Sequence, residues 1–380
     1  MRLVIISNMA HYRRADGAIV GHGATARELD ALATLFDDVR HVACLHDEPA
    51  PASALPYAAG NLALVPVPPA GGDDLAAKLD IVRLTPRYVA AIVRELRGAD
   101  AVHVRAPANI SLYAIALLTA LRAPRRRWIK YAGDWRPRGA EPASYRLQRA
   151  WLARGGHGAQ VTINGRYPDQ PAHVHSFWNP CLTDEEVVRG RAAGAGKQLA
   201  SPVAPVRLVF VGHLGAAKNP RIAVETVAEL RRTGCDARLA VAGDGPERPA
   251  LAALIERAGL AAAVTLHGAL PRPALSALYD AAHFVILPSR TEGWPKVLGE
   301  GMASGAVAIA TAVGSIPDAL GRLATGCAVA EPTTPAFVAA IRGYLDDPAR
   351  WRRESAAALA AAEQFSYASY LRAVGALLEL

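Results

Sequence analysis

Short apolar runs alternate with amphipathic stretches along the chain. In the first half, the runs that predict buried strands are 2–7, 39–45, 62–67, 101–104, 128–132 and 160–163. Apolar residues three and four positions apart predict helices over 24–35, 84–97, 109–121 and 143–154. Strands that alternate with helices build parallel sheets with helices on both faces. The first half is therefore predicted to be a doubly wound α/β domain.

The same pattern starts again near residue 206. Strands are predicted at 206–212, 237–243, 264–268, 284–289 and 307–310, and helices at 219–232, 247–258, 273–281, 296–304, 335–364 and 367–379. Before it, 193–205 is rich in small residues, Gly and Pro without periodicity, which is typical of a linker. We therefore predict an N-terminal domain over 1–192, this linker, a second domain over 206–364 and a C-terminal helix over 365–380.

Length and cysteine content narrow the class of protein. A chain of 380 residues is longer than one hydrophobic core usually supports, in agreement with two domains. Four cysteines, Cys44, Cys181, Cys235 and Cys327, are scattered without paired spacing, which argues against a metal cage or a disulfide framework. The opening MRLVIISNMA is too short an apolar run for a signal peptide or a membrane span. These features predict a cytoplasmic protein.

The positive charge is concentrated in the first half. Residues 1–200 hold 25 Lys and Arg against 18 Asp and Glu (+7), whereas 201–380 hold 17 against 16 (+1). The stretch Arg122 to Arg154 contains ten basic residues against Asp134 and Glu141. Such a stretch predicts attraction to an anionic surface or substrate. A solvated basic face is the alternative interpretation.

The segment PSRTEGWPKVLGEGMASG, residues 288–305, places two carboxylates near the end of a predicted strand. Pro295 suits the first turn of the helix that follows, and this helix carries Glu300. Glu300 is suited to accept hydrogen bonds from vicinal ribose hydroxyls, and Glu292 from sugar hydroxyls. The residues alone also allow an alternative interpretation, in which one glutamate caps the helix and the other is solvated.

Glycine-rich turns follow other predicted strands. Gly212 and Gly215 lead to Lys218, which predicts an anion site of backbone amides and an ammonium group. Gly243 to Gly245 end the next strand, for which ordinary turn chemistry is an alternative. In the first half, Gly21 to Ala26 spell a GxGxxA dinucleotide fingerprint. About thirteen residues separate it from the first strand, whereas that fingerprint requires an immediate strand-to-glycine turn.

In this order and spacing, the segments FVGHLGAAKN, AGDGPE and PSRTEGWPKVLGEGMASG, followed by 314–317 (GSIP), resemble family 4 of the retaining glycosyltransferases. This group includes glycogen-synthase-like and mannosyltransferase-like enzymes. The resemblance implies the GT-B fold, in which two Rossmann-like domains with doubly wound parallel sheets face each other across a cleft. It also implies that the C-terminal helix packs back on the N-terminal domain.

The resemblance also implies roles for individual residues. Donor-binding residues would be Gly212, His213, Lys218, Gly243, Gly293, Trp294, Pro295, Lys296, Val297 and Glu300. His213 stands where the family usually has arginine. An acceptor or phosphate loop would comprise Gly21, His22 and Gly23 with His103 and Arg105, and a histidine at the edge of the core is the alternative for His103. Asp134 stands where many members carry a histidine, so the expected catalytic set is Glu292, Lys218 and Asp134.

The expected activity is metal-independent, retaining transfer of a sugar from a UDP- or GDP-sugar to a hydroxyl of a glycan, lipid-linked or small-molecule acceptor, as in polysaccharide biosynthesis. The sequence has no Asp-x-Asp triplet, so no catalytic metal is implied, and no cofactor is expected beyond the nucleotide-sugar co-substrate. No nucleic-acid partner is expected, whereas the basic stretch predicts peripheral contact with the inner membrane face. A sugar-nucleotide 2-epimerase of the same fold and a non-catalytic nucleotide-sugar-binding protein remain alternatives. The misplaced fingerprint disfavours an NAD-dependent dehydrogenase.

Overall fold

The computed structural model describes residues 1–51, 53–70, 75–137, 139, 141–199 and 205–380, with 75–79 described by their backbone only. The chain divides into two compact units: Met1–Phe177 with Leu371–Leu380, and Trp178–Tyr370. Arg138 of the predicted basic stretch and residues 200–204 of the predicted linker lie outside the described residues.

The first unit alternates strands and helices much as the apolar pattern predicts. In chain order its elements are β1 (Arg2–Ile6), β2 (His11–Arg13), β3 (Ile19–His22), α1 (Gly23–Ala33), β4 (Asp38–His46), β5 (Ala54–Pro56), β6 (Leu62–Val67), α2 (Leu75–Leu96), β7 (Ala101–Ala106), α3 (Asn109–Ala120), β8 (Arg126–Tyr131), α4 (Ala143–Arg154), β9 (Gln160–Ile163) and β10 (Val174–Ser176).

A parallel sheet forms the centre of this unit, in the order β6–β4–β1–β7–β8–β9–β10. Residues 3–6 of β1 have no exposed surface because helices cover both faces, which explains why the strand is an unbroken apolar run. The short strands β2, β3 and β5, which the sequence does not predict, extend the sheet at the end of β4. β2 pairs with β4 in parallel, and β3 and β5 follow through antiparallel pairs.

The second unit repeats this architecture. Its elements are α5 (Asp184–Ala195), β11 (Val206–Val211), α6 (Pro220–Arg232), β12 (Ala237–Ala242), α7 (Arg248–Arg257), β13 (Val264–Gly268), α8 (Arg272–Ala281), β14 (Phe284–Leu287), α9 (Lys296–Ala303), β15 (Val307–Thr311), α10 (Ile316–Leu323), β16 (Gly326–Val329), α11 (Thr334–Asp346), α12 (Pro348–Ala361) and a 3₁₀ turn (Ala362–Phe365). The parallel strands lie in the order β13–β12–β11–β14–β15–β16.

Each sheet has one position at which the strand order reverses. In the first unit the reversal falls between β1 and β7, and in the second between β11 and β14. The connections leave these neighbouring strands in opposite directions, so a crevice opens between their carboxyl ends. Ligands of doubly wound sheets bind in such crevices, and both candidate sites described below lie there.

The C-terminal helix α13 (Tyr367–Leu378) begins in the second unit, and its residues from Leu371 onward belong to the first. Arg126 of β8 donates from Nε to the carbonyl oxygen of Leu378 at 2.9 Å, which holds the chain end against the first sheet. The expected return of this helix to the N-terminal domain is thus confirmed. Among the described residues, no helix is both long enough and apolar enough to cross a membrane.

The division between the units falls earlier than the predicted 193–205 linker, because α5 packs with the second unit. Thr183 and Glu186 form a capping box that starts α5. Gly190 lies so close to α9 that a Cβ there would stand 2.4 Å from the carbonyl oxygen of Ala303. The apolar periodicity does not predict α5, because two of its twelve residues are glycines and weaken the pattern.

Replacing Gly190 with alanine tests whether α5 is an integral part of the second unit. Because the new methyl group would collide with the backbone of α9, we expect Gly190→Ala to lower the free energy of unfolding by about 1–3 kcal/mol. Gly343→Ala in α11 is the matched control, since a Cβ there meets nothing within 4 Å. The control should be neutral or stabilising by up to about 1 kcal/mol. Equal denaturant midpoints for the two variants would show that α5 is loosely attached.

Candidate functional site

The loops that follow β11 and β14 lie side by side in the second unit. β11 and β14 pair in parallel, with Leu208 opposite Phe284 and Val209 opposite Val285. Beyond the strands, the amide of Arg290 donates to the carbonyl oxygen of Ala217 at 2.8 Å. The glycine-rich turn 212–219 and the segment 288–295, which are distant in sequence, therefore form one site at the reversal point.

An ion pair joins these two loops. Lys218 Nζ donates to Glu292 Oε1 at 2.5 Å, and the two side chains are 29% and 9% exposed. Lys218 is placed by the turn that precedes α6, where Asn219 adopts a left-handed backbone conformation with a φ of 51° and Pro220 begins the helix. The pair brings an ammonium group and a carboxylate to the carboxyl end of the sheet, with the ammonium as its more accessible member.

Gly243 allows the turn after β12 to touch the turn after β11. Its φ is +138°, and a Cβ at this position would stand 1.8 Å from the carbonyl oxygen of Gly212. Any side chain at Gly243 would therefore push the two turns apart. The glycine predicted as a donor contact thus has a packing role that its sequence context did not reveal.

Gly314 likewise allows two turns to pack closely, here the loop after β15 and the loop that carries Glu292. Its φ is +55°, and a Cβ there would lie 2.0 Å from the carbonyl oxygen of Glu292. Next to it, Ser315 donates to the carbonyl oxygen of Gly293 from its amide at 3.1 Å and from its hydroxyl at 2.7 Å. The loop after β15 therefore fixes the backbone that carries Glu292, and the Gly293 carbonyl is engaged in this contact.

Glu300 on α9 is held by two side chains that the sequence analysis did not single out. Its Oε1 accepts from Arg272 at 2.5 Å, and its Oε2 accepts from the Tyr279 hydroxyl at 2.8 Å. Burial and the nearby Glu300 carboxylate raise the pKa of Tyr279 well above its usual value, so Tyr279 remains a hydrogen donor. Each oxygen of Glu300 retains capacity for a further hydrogen bond, since a carboxylate has about four acceptor positions.

Arg272 connects Glu300 to α5. Its Nε donates to Glu186 Oε1 at 2.7 Å, and one of its terminal nitrogens donates to the Cys181 carbonyl oxygen at 2.9 Å. One guanidinium thus lies between two carboxylates, which are 12% and 15% exposed. This network fixes the direction of the Glu300 side chain before any ligand is bound.

Other predicted donor residues have different environments. Trp294 is 5% exposed and stacks on Phe365 with ring centroids 5.3 Å apart, so its indole packs in the core, and its contact with a donor stays a prediction. His213 is exposed in the turn after β11. Pro295 precedes α9, whose first residues are Lys296 and Val297. The backbone amides of such a first turn point out of the helix, towards the end of the sheet.

In the first unit, a pocket of about 260 Å³ lies at the β1–β7 reversal point. Its wall comprises Ser7, Asn8, Met9, Ala10, His22, Thr25, Arg105, Ala106, Pro107 and Ala132. These residues follow β1, β7 and β8 or surround the start of α1. Of the predicted acceptor or phosphate residues, His22 and Arg105 line this pocket.

The remaining predicted residues of the first unit do not line this pocket. Gly21 lies in β3, where a Cβ would meet the Met9 side chain at 2.4 Å, and Gly23 begins α1 beneath the Ser53 carbonyl oxygen. His103 is fully buried and stacks on Trp128 at 3.7 Å, which favours the interpretation of His103 as a core histidine over an acceptor contact. Asp134 accepts a hydrogen bond from the Arg136 amide in the turn after β8.

Two charged residues beside Arg105 have a role that the sequence did not predict: Glu28 looked like an ordinary residue of an amphipathic helix, and Lys130 like one member of the basic stretch. Glu28 of α1 is fully buried, and its Oε1 accepts from Arg105 at 2.7 Å and from Lys130 at 2.6 Å. Lys130 belongs to the predicted basic stretch but points inward, as does Arg127, which donates to four backbone carbonyl groups. The stretch Arg122 to Arg154 therefore does not form one continuous basic surface.

Among the described residues, no group of three or more His, Cys, Asp and Glu side chains is arranged to hold a metal ion.

Known structures share this fold. The chain aligns over its whole length with sucrose-phosphate synthase from Thermosynechococcus elongatus, with a TM-score of 0.73, 19% identity and 98% coverage of that chain. It aligns equally fully with HepE from Anabaena, solved in complex with UDP and glucose, with a TM-score of 0.66, 15% identity and 99% coverage of that chain. The protein therefore has the GT-B fold.

Sequence comparison finds relatives of the second half of the chain. Residues 196–364 match the model of the family glycosyl transferases group 1. Similar proteins include α-D-kanosaminyltransferase from Streptomyces kanamyceticus, 34% identical over 158 residues, which cover 41% of each chain. Glycogen synthase from Mycobacterium tuberculosis is 27% identical over 212 residues, 55% of this chain and 50% of that one. The chain thus spans half or less of the length of these relatives.

Removing the Arg272 guanidinium tests the network around Glu300. Arg272→Met would leave two half-buried carboxylates facing each other, so we expect the free energy of unfolding to fall by about 2 kcal/mol. Arg221→Met is the control, because Arg221 is 69% exposed and pairs with Glu225 on the surface of α6. Its loss should cost less than about 0.5 kcal/mol. If urea denaturation gives the same small loss for both, Arg272 does not organise the site.

Proposed function

We propose that the protein is a retaining, metal-independent glycosyltransferase of the hexosyltransferase type. Its donor would be a nucleotide-diphosphate sugar, carrying UDP or GDP, and its acceptor a hydroxyl group of a glycan, lipid-linked or small molecule. The observation that carries the proposal is the Lys218–Glu292 ion pair at the reversal point of the second sheet, together with a pre-oriented Glu300 on the helix that follows the Glu292 loop.

Related proteins support this assignment. The similar sequences include a kanosaminyltransferase, a 2-deoxystreptamine glucosyltransferase, glycogen synthase and D-inositol 3-phosphate glycosyltransferase. HepE has been solved with UDP and with UDP-glucose. These relatives are all named as enzymes that transfer sugars, and they differ in the sugar and the acceptor that their names state, so they support the reaction rather than a particular donor or acceptor.

Lys218 would stabilise the leaving diphosphate. As the bond to the sugar breaks, the sugar becomes oxocarbenium-like and negative charge builds on the phosphate oxygens. The ammonium of Lys218 is the more exposed partner of its ion pair and is suited to share its hydrogen bonds between Glu292 and a phosphate. A charge held in place before the reaction stabilises the transition state without reorganisation. The leaving phosphate would then take the proton of the attacking acceptor hydroxyl.

The two glutamates would bind neutral parts of the donor. Glu300 has one acceptor position per oxygen committed to Arg272 or Tyr279, which leaves the others for a pair of ribose hydroxyls. Glu292 is 9% exposed and fixed to Lys218, so it is suited to accept from sugar hydroxyls beside the phosphate. Amides of the first turn of α9 and of the turn after β11 would complete the contacts with phosphate oxygens.

Donor hydrolysis by purified protein tests the proposal. A panel of UDP- and GDP-sugars should include at least one that is slowly hydrolysed, with the same rate in the presence and absence of EDTA. Lys218→Met should reduce this rate by about 10²–10³-fold, since one preorganised charge contact is removed from the transition state. Glu256→Gln, at an exposed position of α7, is the control and should retain the rate.

The possible results separate the alternatives. If every donor stays intact, or if Lys218→Met and the control behave alike, the protein is not a transferase that uses this site. Strict dependence on Mg²⁺ would contradict the metal-independent mechanism. Conversion of a UDP-sugar to its 2-epimer would instead identify an epimerase.

We further propose that the protein meets anionic membrane surfaces through exposed arginines of the basic stretch. Arg122, Arg125, Arg146 and Arg154 are exposed. Since Arg127 and Lys130 are directed inward, we expect weak binding that depends on ionic strength. Co-sedimentation with vesicles containing phosphatidylglycerol should be seen at low salt and lost at about 0.5 M NaCl. No co-sedimentation at low salt would remove the membrane proposal and leave the transferase proposal intact.

A further inference from the structure

A chain of buried polar side chains runs from the pocket of the first unit into its sheet. Ser7 Oγ lies 2.7 Å from His41 Nε2, and His41 Nδ1 lies 2.6 Å from the Tyr57 hydroxyl. The same hydroxyl is 2.6 Å from His11 Nε2. Ser7, His41 and His11 are each at most 1% exposed. We call this chain the Ser7 relay.

The protonation of the Ser7 relay follows from its burial. Burial lowers the pKa of His11, and it holds the pKa of His41 well below its usual value with help from nearby His11 and Arg105. Burial also raises the pKa of Tyr57 far above its usual value. At neutral pH both imidazole rings are therefore neutral and Tyr57 keeps its proton, so each ring has one nitrogen that donates and one that accepts.

Backbone carbonyl groups then set the direction of every hydrogen bond. His11 Nδ1 lies 3.1 Å from the Met9 carbonyl oxygen and 3.3 Å from that of Cys44. Because carbonyl oxygens only accept, His11 carries its proton on Nδ1, and its Nε2 accepts from Tyr57. The Met9 sulfur, 4.0 Å from the Tyr57 oxygen, is a weaker acceptor than this nitrogen.

The same argument determines the direction of the hydrogen bonds between Tyr57 and the pocket. Since Tyr57 has one proton and gives it to His11, His41 must donate from Nδ1 to Tyr57. The Nε2 of neutral His41 is then an acceptor, so the Ser7 hydroxyl donates its proton to His41. One lone pair of Ser7 accepts the Met9 amide at 3.1 Å. The remaining capacity of Ser7 Oγ is a single lone pair.

We propose that the Ser7 relay makes Ser7 an obligatory hydrogen-bond acceptor in the wall of the pocket, and that the pocket takes a polyol ring, a sugar or cyclitol, which places a hydroxyl group there. Ser7 lines this pocket of about 260 Å³, a volume below the range of roughly 300–1,000 Å³ of drug-sized ligand sites. A phosphate or carboxylate oxygen facing Ser7 would meet a lone pair and be repelled. His41, Tyr57 and His11 are positioning residues that act through Ser7.

This inference rests on the proposed function, because it identifies the chemistry of the hydroxyl acceptor that a transferase would use. Its first test does not depend on activity. In ¹⁵N spectra of histidine-labelled full-length protein near pH 7.5, His11 and His41 should both be neutral with the proton on Nδ1, as assigned by loss of each signal in the His11→Gln and His41→Gln variants. A proton on Nε2 of His41 reverses the relay and overturns the proposal.

The second test measures ligand binding. Titration of the full chain with myo-inositol and with glucose, followed by saturation-transfer NMR, should detect binding of at least one. Tyr57→Phe removes the hydroxyl that joins the two histidines, and we expect it to weaken that binding about five- to tenfold. Tyr113→Phe removes another half-buried tyrosine hydroxyl of the same unit, bonded to Thr85 at 2.7 Å, and should change binding less than twofold.

Ser7→Ala provides a second variant that acts directly at the pocket, and it should weaken binding at least as much as Tyr57→Phe. Thermal midpoints of all variants identify any loss caused by unfolding. Equal effects of Tyr57→Phe and Tyr113→Phe, or no binding of either polyol by the wild type, overturn the inference. Donor hydrolysis by the wild type reports on the Lys218 site separately, so failure here is distinguishable from failure of the proposed function.

Discussion

The pairing of β11 with β14 is the constraint on which the second unit depends. These strands are neighbours in the sheet although β12 and β13 come between them in the chain. The pairing brings Lys218 within 2.5 Å of Glu292, a residue 74 positions away. A slip of one residue in this register would turn every side chain of one strand to the other face. The close contact between the turns at the end of this sheet also requires two glycines, because any side chain at Gly243 or Gly314 would collide with the backbone of a neighbouring turn.

Ion pairs hold the charged groups of both units in place. Arg272 lies between Glu186 and Glu300, and Glu28 accepts from both Arg105 and Lys130. Removing one member of a buried pair leaves an uncompensated charge, so such clusters resist rearrangement even where they add little net stability. In a site that must stabilise developing charge, fixed partners are an advantage, because the side chains need not reorient during the reaction.

The sequence predicted what depends on local pattern. Alternating apolar runs predicted the central strands of both sheets but not β2, β3, β5, β10 or β16, and motif spacing brought Lys218, Glu292 and Glu300 into one hypothesis. The supporting residues Arg272 and Tyr279 lie in an ordinary amphipathic helix, α8, and their meeting with Glu300 depends on helix packing. The burial of Trp294 was not predicted, and for His103 it was one of two interpretations, because motif position and residue type do not reveal burial.

Glycines were the least informative residues at the sequence level. Gly21 and Gly23 were interpreted as a phosphate loop, yet they lie where Met9 and the Ser53 carbonyl oxygen leave no room for a side chain. A glycine that admits a ligand and a glycine that admits a neighbouring strand have the same sequence context. Only the distances to surrounding atoms show whether a glycine leaves room for a ligand or for a neighbouring segment. For Gly21 in β3 and Gly23 in α1, these distances indicate close packing against a neighbouring segment.

Both units have ion pairs at equivalent positions of the same architecture, and they differ in the other polar groups found there. At the β11–β14 reversal the side chains are ionised and paired, which suits a ligand that carries and gains negative charge. At the β1–β7 reversal, neutral histidines and a tyrosine lead to Ser7 through hydrogen bonds whose directions are fixed by backbone carbonyl groups. A neutral relay of this kind adds no charge to the pocket but determines which partner donates. A sugar hydroxyl, which both donates and accepts, can satisfy such a wall, whereas a group that only accepts cannot.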